Sequence, residues 1–282
     1  MSITPSALLL DTACNIGFDL AGIIPAASPK TFDFFARWLD SGMHAGQQHF
    51  VRHFNLRKHP DSLLPGVKSI MMLAVSYGKV LSDPHPIQAL TGIAEYARGA
   101  DYHCWIKSRL AVLAKKHAEL FPGGRCRGTC DTAPILEKQF AADAGLGNFG
   151  KNTLIIHPKY GSKMFLSAFL STERLEPVPL PPGPFDLCGD CRVCLDACPT
   201  GALVAPYVLD SRRCLSYWTL VHRGEIPADI EAKRGNCFLG CDVCQKVCPH
   251  NAGLPELPPG MRDPLQTDSA EILRLLRGSP LG

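Results

Sequence analysis

The sequence predicts an α+β protein, with a layered front domain followed by a small cysteine-rich domain. Three observations carry this reading. Stretches of helical and strand periodicity interleave through the first 175 residues, a proline-rich run interrupts the chain at 177–184, and two cysteine motifs follow it. Interleaved helices and strands bury their apolar faces by stacking in layers around a common core.

Residues 6–16, carrying Leu8, Leu9 and Ile16, are expected to form a helix, and Phe18 to Ile24 a strand. Phe32 to Leu39, with Phe34, Phe35 and Trp38, is a second helical stretch. Pro65-Gly66 is turn punctuation before Ser69 to Val75, an uninterrupted apolar strand. Tyr102 to Leu120 has Ile106, Leu110 and Leu113 at helical spacing with lysines opposite, and Pro122-Gly-Gly124 stops it. A further helix opens near Pro134, and Asn152 to His157 and Met164 to Leu170 are expected strands. The front domain is thus placed at 1–176, a stiff linker at 177–186, the cysteine-rich domain at 187–254, and a tail with a short helix (Ala270 to Arg277) at 255–282.

The cysteine motifs carry the chemistry. The first is Cys188-Gly-Asp-Cys191-Arg-Val-Cys194-Leu-Asp-Ala-Cys198-Pro199, and the second Cys241-Asp-Val-Cys244-Gln-Lys-Val-Cys248-Pro249. Such spacing belongs to bacterial ferredoxins: three thiolates close on one [4Fe–4S] cube, and the cysteine before proline crosses to a neighbouring cube. One cluster then takes Cys188, Cys191, Cys194 and Cys248. The other takes Cys198, Cys241 and Cys244 plus a fourth thiolate, for which Cys214 and Cys237 compete; distance along the chain slightly favours Cys237. Zinc in Cys₄ sites is the alternative, opposed by the doubled Cys-Pro ending.

Composition sets the limits. The 282 residues suffice for roughly two domains, and a 46% apolar share is ordinary for a globular core. The formal charge of +3 permits an anionic partner without demanding one. Thirteen cysteines, seven of them in the two motifs, point to metal ligands and free thiols in a reducing compartment. No stretch approaches the roughly 20 apolar residues that span a bilayer. Met1-Ser-Ile-Thr-Pro-Ser lacks a basic secretory start or twin arginine, so a cytoplasmic protein with no membrane contact is expected.

Five segments outside and around the first motif extend this reading. They are Tyr96-Ala-Arg-Gly-Ala-Asp-Tyr-His103, Asp131-Thr-Ala-Pro-Ile-Leu-Glu137, Gly145-Leu-Gly-Asn-Phe-Gly-Lys-Asn-Thr153, Arg213-Cys-Leu-Ser-Tyr217 with His222-Arg-Gly224, and Gly240 to Pro249. In this order they resemble the epoxyqueuosine reductase family across most of residues 50–251. The resemblance implies a nitroreductase-like α/β cobalamin-binding domain followed by a ferredoxin-like domain with two [4Fe–4S] clusters. It implies an oxidoreductase that reduces the epoxide of epoxyqueuosine in tRNA to queuosine with loss of water, the last step of queuosine biosynthesis. Partners implied are the tRNA anticodon stem-loop and an external low-potential electron donor, and a monomer is expected. It also moves the eighth cluster ligand from Cys237 to Cys214.

By the same resemblance Asp131 is the proton donor, a role suited to a carboxyl whose proton is retained in a partly desolvated site. An aspartate shortly before a helix equally serves as a cap or Asx turn. Arg57, Tyr96, Ala97, Gly147, Lys151 and Asn152 match stretches that line the corrin. Ser216 and Asp242, beside second-cluster cysteines, touch cobalamin or tune the cluster. Asp101, His103 and Arg223 are the substrate-facing candidates. The sequence departs from the family in two ways: only some thirty residues follow Asn251, where many members continue into a helical-repeat domain, and Cys126 and Cys130 stand unusually before Asp131. Two other functions compete: a related corrinoid reductase of a small molecule, dehalogenase-like in character, and a ferredoxin-type electron carrier.

Overall fold

The computed structural model describes residues 4–77, 92–98, 101–177 and 186–254. The expected tail helix at 270–277 and nearly all of the proline-rich linker lie outside the described residues.

Pro5–Asn15 forms α1, with Thr4 as N-cap accepting from the Ala7 amide and Pro5 opening the first turn. Leu20–Pro25 (β1) leads into α2 (Phe32–Asp40), then the short helices α3 (Gln48–Arg52) and α4 (Phe54–Lys58). Strand β2 (Ser69–Ser76) precedes the 3₁₀ turn Glu95–Ala97 and the long helix α5 (Tyr102–Leu120). β3 (Cys126–Thr129), α6 (Glu137–Asp143), β4 (Asn148–Phe149), β5 (Ile155–Ile156) and β6 (Met164–Ser171) complete the front half. Behind it come α7 (Val193–Asp196), the hairpin β7 (Leu203–Ala205) and β8 (Val208–Leu209), the π-helical turn Tyr217–Val221, α8 (Ala228–Arg234) and α9 (Val243–Lys246).

The main sheet has the order β1-β2-β6-β3 with every pair antiparallel. β2 is central and buried throughout. Its side chains divide by alternation: Met71, Leu73 and Val75 join Leu9, Trp105, Ile106, Leu110, Leu113 and Phe169 under α1 and α5. Ile70, Met72 and Ala74 join Leu63, Phe140, Ala141, Leu146, Ile155 and Leu170 under α6. A strand covered on both faces needs no polar residue at every second position, which is why β2 reads as a continuous apolar run.

Two strands differ from expectation. The segment from Asn152 pairs only at Ile155–Ile156, because Gly150 and Thr153 close a turn through Thr153 N–H to Gly150 O and Gly150 N–H to Leu154 O. β3 has no apolar alternation to announce it; it exists because Cys126 to Thr129 add to the free edge of β6.

The halves expected as separate domains interlock. The Tyr77 hydroxyl and the Gln245 amide bond each other in a buried site, and Gln245 Nε2 also donates to Ser162 O. Asn251 Oδ1 accepts from Ser162 N–H at 2.7 Å, while its Nδ2 donates to Ser162 Oγ and Gln245 O. Gly161 lies so close that a Cβ there would sit 2.1 Å from Asn251 Oδ1. Further joints are Trp38 Nε1–H to Leu209 O, Gly46 N–H to the Tyr217 hydroxyl, and a parallel bridge between Ile93 and Leu239.

Candidate iron–sulfur centres and active-site cleft

Helices α7 and α9 are each the short turn inside a cysteine motif, and they pack together over a small core of Leu195, Leu203, Leu209 and Val247. This pseudo-duplicate arrangement brings the ends of the two motifs across one another. One small cavity, partly open to solvent, is lined by Cys188, Cys191, Cys194 and Cys248 together with Ile156, Pro249 and His250. These are the four thiols of the crossed pattern for the first cluster.

The remaining thiols form a second group. Cys244 interacts electrostatically with Cys241, Cys214 and Cys198, and with Cys194 of the first group. Desolvation pushes the Cys244 and Cys241 thiols up to about 12, so holding them as thiolates requires a cation. Burial acts to raise Cys198 as well, but amide donors from Leu203 and Ala202 and the Thr200 hydroxyl outweigh it and draw its pKa down. Cys214 is raised by desolvation, opposed by the N–H groups of Tyr217 and Ser216. Ser216 thereby serves the cysteine through its backbone. Cys237, the competitor, is within hydrogen-bond reach of Cys241. Among the described residues no three His, Cys, Asp or Glu side chains are gathered tightly enough for a single metal ion.

Asp131 lies in the loop between β3 and α6, and Lys138 interacts electrostatically both with it and with Cys244 and Cys214 of the second group. The Asp131 backbone is left-handed, at φ +59°, and the Thr132 amide bonds back to Cys130 O at 2.6 Å. This is a classic-type γ-turn, a rare and strained form whose cost is of order 1–3 kcal/mol. The carboxylate does not cap α6: the cap position is Leu136, with no side-chain hydrogen bond. Instead Asp131 Oδ2 accepts from the Tyr102 hydroxyl at 3.0 Å and lies 3.6 Å from His103 Nε2. The opposite ring nitrogen of His103, Nδ1, is 2.9 Å from Asp101 Oδ1, and Asp101 also caps α5 by accepting from the His103 amide. Tyr102 is held by stacking on Phe165, with centroids 4.1 Å apart and planes 6° from parallel.

Two groups that sequence reasoning passed over belong here. Glu137 Oε1 accepts the Asp131 amide at 3.1 Å, and burial pushes the Glu137 carboxyl up to about 8. Lys138 donates to Thr153 O and interacts with Cys244, Asp131, Glu137 and Cys214, while desolvation pulls its ammonium pKa down. Lys138 is nonetheless solvent-accessible. Glu137 closes the quoted Asp131 segment and Lys138 follows it, so position near Asp131 was the available signal.

The other anticipated residues are distributed as follows. Tyr96 borders the cleft: its pKa is raised to about 12 by desolvation and by Asp242 and Asp131, and its ring lies near Gly240. Ala97 ends the same 3₁₀ turn. Asp242 is buried and accepts the Glu95 amide at 2.6 Å, tying that turn to the second motif. Arg57 is buried beneath α3, donating to His49 O and His53 O with its guanidinium 5.0 Å from the Phe50 ring centroid. Lys151 and Asn152, anticipated at the corrin, line the first cysteine cavity, where the Lys151 amide points at Cys188 Sγ and Lys151 Nζ meets Gly189 O. Gly147, also anticipated there, backs onto the chain: at φ +143° a Cβ would sit 2.4 Å from Ile156 O, so only glycine lets β4 approach β5. Arg223 is exposed and bonds to the carbonyls of Leu220 and His222, apart from the Asp131 group.

Residues 187–251 match the 4Fe-4S double cluster binding domain, and residues 57–132 match the family described as epoxyqueuosine reductase QueG, DUF1730. The epoxyqueuosine reductase of Pseudomonas aeruginosa is 38% identical over 277 residues, covering 94% of this chain and 74% of that protein. The chain belongs to the epoxyqueuosine reductase family. The family member from Cyclobacterium marinum is 37% identical, covering 85% of this chain and 77% of its own. Among solved structures, the epoxyqueuosine reductase of Bacillus subtilis, with its aspartate catalytic loop swung out of the active site, superposes with TM-score 0.81 at 33% identity. It covers 91% of this chain and 68% of that one. A crystal structure of epoxyqueuosine reductase with an epoxyqueuosine-modified tRNA stem-loop superposes with TM-score 0.80 at 33% identity, with the same coverage. The front and rear halves thus carry the fold of this oxidoreductase family, with a domain of the two-[4Fe–4S] class behind. No helix among the described residues is long and apolar enough to cross a membrane.

Proposed function

We propose that the protein reduces the epoxide of epoxyqueuosine in the anticodon stem-loop of tRNA to the alkene of queuosine, releasing water. The observation that carries this reading is that Lys138 interacts both with Asp131 and with Cys244 and Cys214 of the second cysteine group, which puts the carboxyl near those thiols. The reaction consumes two electrons and two protons: both C–O bonds of the epoxide break, a carbon–carbon double bond forms, and the oxygen leaves as water. An electron source and a proton source must therefore face the same substrate.

On the electron side, Cys188, Cys191, Cys194 and Cys248 would hold one cluster, and Cys198, Cys214, Cys241 and Cys244 the other. The first cavity opens to solvent beside Lys151 and His250, which suits entry of electrons from an external low-potential donor. The second group adjoins the cleft, which suits their exit. Cobalamin would be held near these residues, where Lys138 is an accessible cation and the Tyr96 and Tyr102 hydroxyls and the Asp131 carboxyl would offer further polar contacts to a ring fringed with amides. When bound it supplies a reduced cobalt nucleophile, the hard step that side chains cannot perform.

On the proton side, Asp131 is the acid. Tyr102 fixes one carboxyl oxygen, and His103, oriented by Asp101 through Nδ1, offers Nε2 toward the same oxygen. General-acid catalysis of this kind contributes about 10²–10⁴-fold. Asp101 and His103 border the position of the substrate, whereas Arg223 is better suited to contact with the nucleic-acid backbone farther out. A soluble, cytoplasmic setting accords with a tRNA substrate.

Complementation tests this directly. In cells lacking their own epoxyqueuosine reductase, expression of this chain should convert epoxyqueuosine in tRNA to queuosine, read by mass spectrometry of the nucleosides. Persistence of epoxyqueuosine despite soluble, cluster-loaded protein would count against the proposed substrate.

A further inference from the structure

The groups that hold Asp131 fall into two classes. Tyr102 and His103 reach its carboxylate. Its main chain is gripped by one side chain: Glu137 Oε1, which accepts the Asp131 amide at 3.1 Å. That amide belongs to a residue in a left-handed γ-turn, where relaxation toward ordinary backbone angles is downhill and would swing the carboxyl away from Tyr102 and His103. The turn's own hydrogen bond, Thr132 N–H to Cys130 O, closes the ring but does not tether it to the core.

Glu137 is well mounted for such a tether. It is the first residue of α6, whose Phe140 and Ala141 are buried in the core beneath β2 and β6. The segment between is anchored by buried Ile135, whose amide bonds to Ala133 O. A fixed helix therefore presents one carboxyl oxygen to the one strained residue of the loop.

We propose that Glu137 is the positioning residue of the active site, latching the Asp131 main chain so that its carboxyl remains poised over the cleft. This rests on the reading of Asp131 as proton donor. Glu137 acts through Asp131 and touches neither substrate nor cofactor. Its function requires only an acceptor oxygen, so the amide of glutamine can replace the carboxyl, whereas leucine or alanine cannot.

The test uses the anaerobically reconstituted holoprotein and an epoxyqueuosine-bearing stem-loop. Glu137→Leu and Glu137→Ala are expected to lower kcat about ten- to a hundredfold, the range that a misplacement of about 1 Å produces, while KM for the stem-loop and the cluster and corrinoid spectra stay unchanged. Glu137→Gln is expected to recover most of the turnover. Hydrogen exchange at the Asp131 amide, read independently of activity, should be at least about tenfold faster in the leucine and alanine variants and protected in wild type and Glu137→Gln. Wild-type kcat in the leucine and alanine variants, a glutamine variant as slow as leucine, or unchanged exchange at Asp131 would each overturn the proposal. Asp131→Asn separates the two levels: if it turns over normally the proton-donor reading fails, while the exchange data still decide whether Glu137 is the latch.

Discussion

Asn251→Ala tests how firmly the iron–sulfur half is joined to the catalytic half. Asn251 is buried, and it meets Ser162 and Gln245 with both ends of its amide. Truncation leaves the Ser162 N–H without its acceptor at 2.7 Å, which costs about 1–3 kcal/mol for a buried donor. Ser162 Oγ and Gln245 O keep other partners, Gln245 Nε2 and the Cys248 amide, so those two losses amount to about 0.5–1.5 kcal/mol each. The sum is about 2–6 kcal/mol. At about 2–4 °C per kcal/mol for a chain of this size, the melting temperature should fall by roughly 5–20 °C. The assay is anaerobic thermal unfolding of wild type and variant at matched iron content. Because Gly161 backs directly onto Asn251 Oδ1, Gly161→Ala should be strongly destabilising on its own and less than additive with Asn251→Ala. A fall of under about 2 °C for Asn251→Ala would refute the claim that this amide joins the halves.

Other expectations follow from the cleft and the cysteines. Asp131→Asn should lower turnover about 10²–10⁴-fold, equivalent to about 2.7–5.5 kcal/mol of transition-state stabilisation. Its side chain is 64% exposed, so the melting temperature should not move; a parallel loss of stability would point to a structural role. Cys214→Ser should reduce iron from about eight to about four atoms per chain, and Cys237→Ser should leave it near eight; the reverse would exchange their roles. Burial raises the Glu137 carboxyl from 4.5 to about 8. A folded-state pKa above the unfolded one means the native state binds the proton more tightly, so this stabilisation is full below about 4.5 and is lost as pH rises through about 8. Glu137→Gln has no such titration, and its stability relative to wild type should therefore grow between about pH 5 and pH 9. A difference constant over that range would contradict the assignment.

Much of this molecule is legible in its sequence, and the illegible part has physical causes. β2 and α5 are plain because burial demands a continuous apolar strand and a helical stripe respectively. Spacing points to seven of the crossed cluster thiols, whereas for the eighth it favours Cys237 and only the family resemblance moves the place to Cys214. β3 is not, since Cys126 to Thr129 owe their strand state to the partner edge of β6 and not to their own residues. Asp131 before a helix suggests a cap from sequence alone; its left-handed turn and its bond to Tyr102 exist only once α5 and β3 are side by side. Lys151 and Asn152 follow the glycine-rich segment and so invite a cofactor reading, yet the turn from Gly147 to Ile155 carries them to the first cysteine cavity. Glu137 closes the Asp131 segment and Lys138 follows it, but their residue types assign them no role before the loop is folded. Their importance lies in what they face across the cleft.

The most direct test of the account is a single-turnover experiment. The protein, reconstituted with iron, sulfide and cobalamin without oxygen and reduced by a low-potential donor, is mixed with a stem-loop carrying epoxyqueuosine, and the wobble nucleoside is identified by mass. The account predicts conversion to queuosine by loss of one oxygen atom, dependent on cobalamin and abolished by Asp131→Asn. Unchanged epoxyqueuosine in the presence of both reduced clusters and bound cobalamin would contradict it.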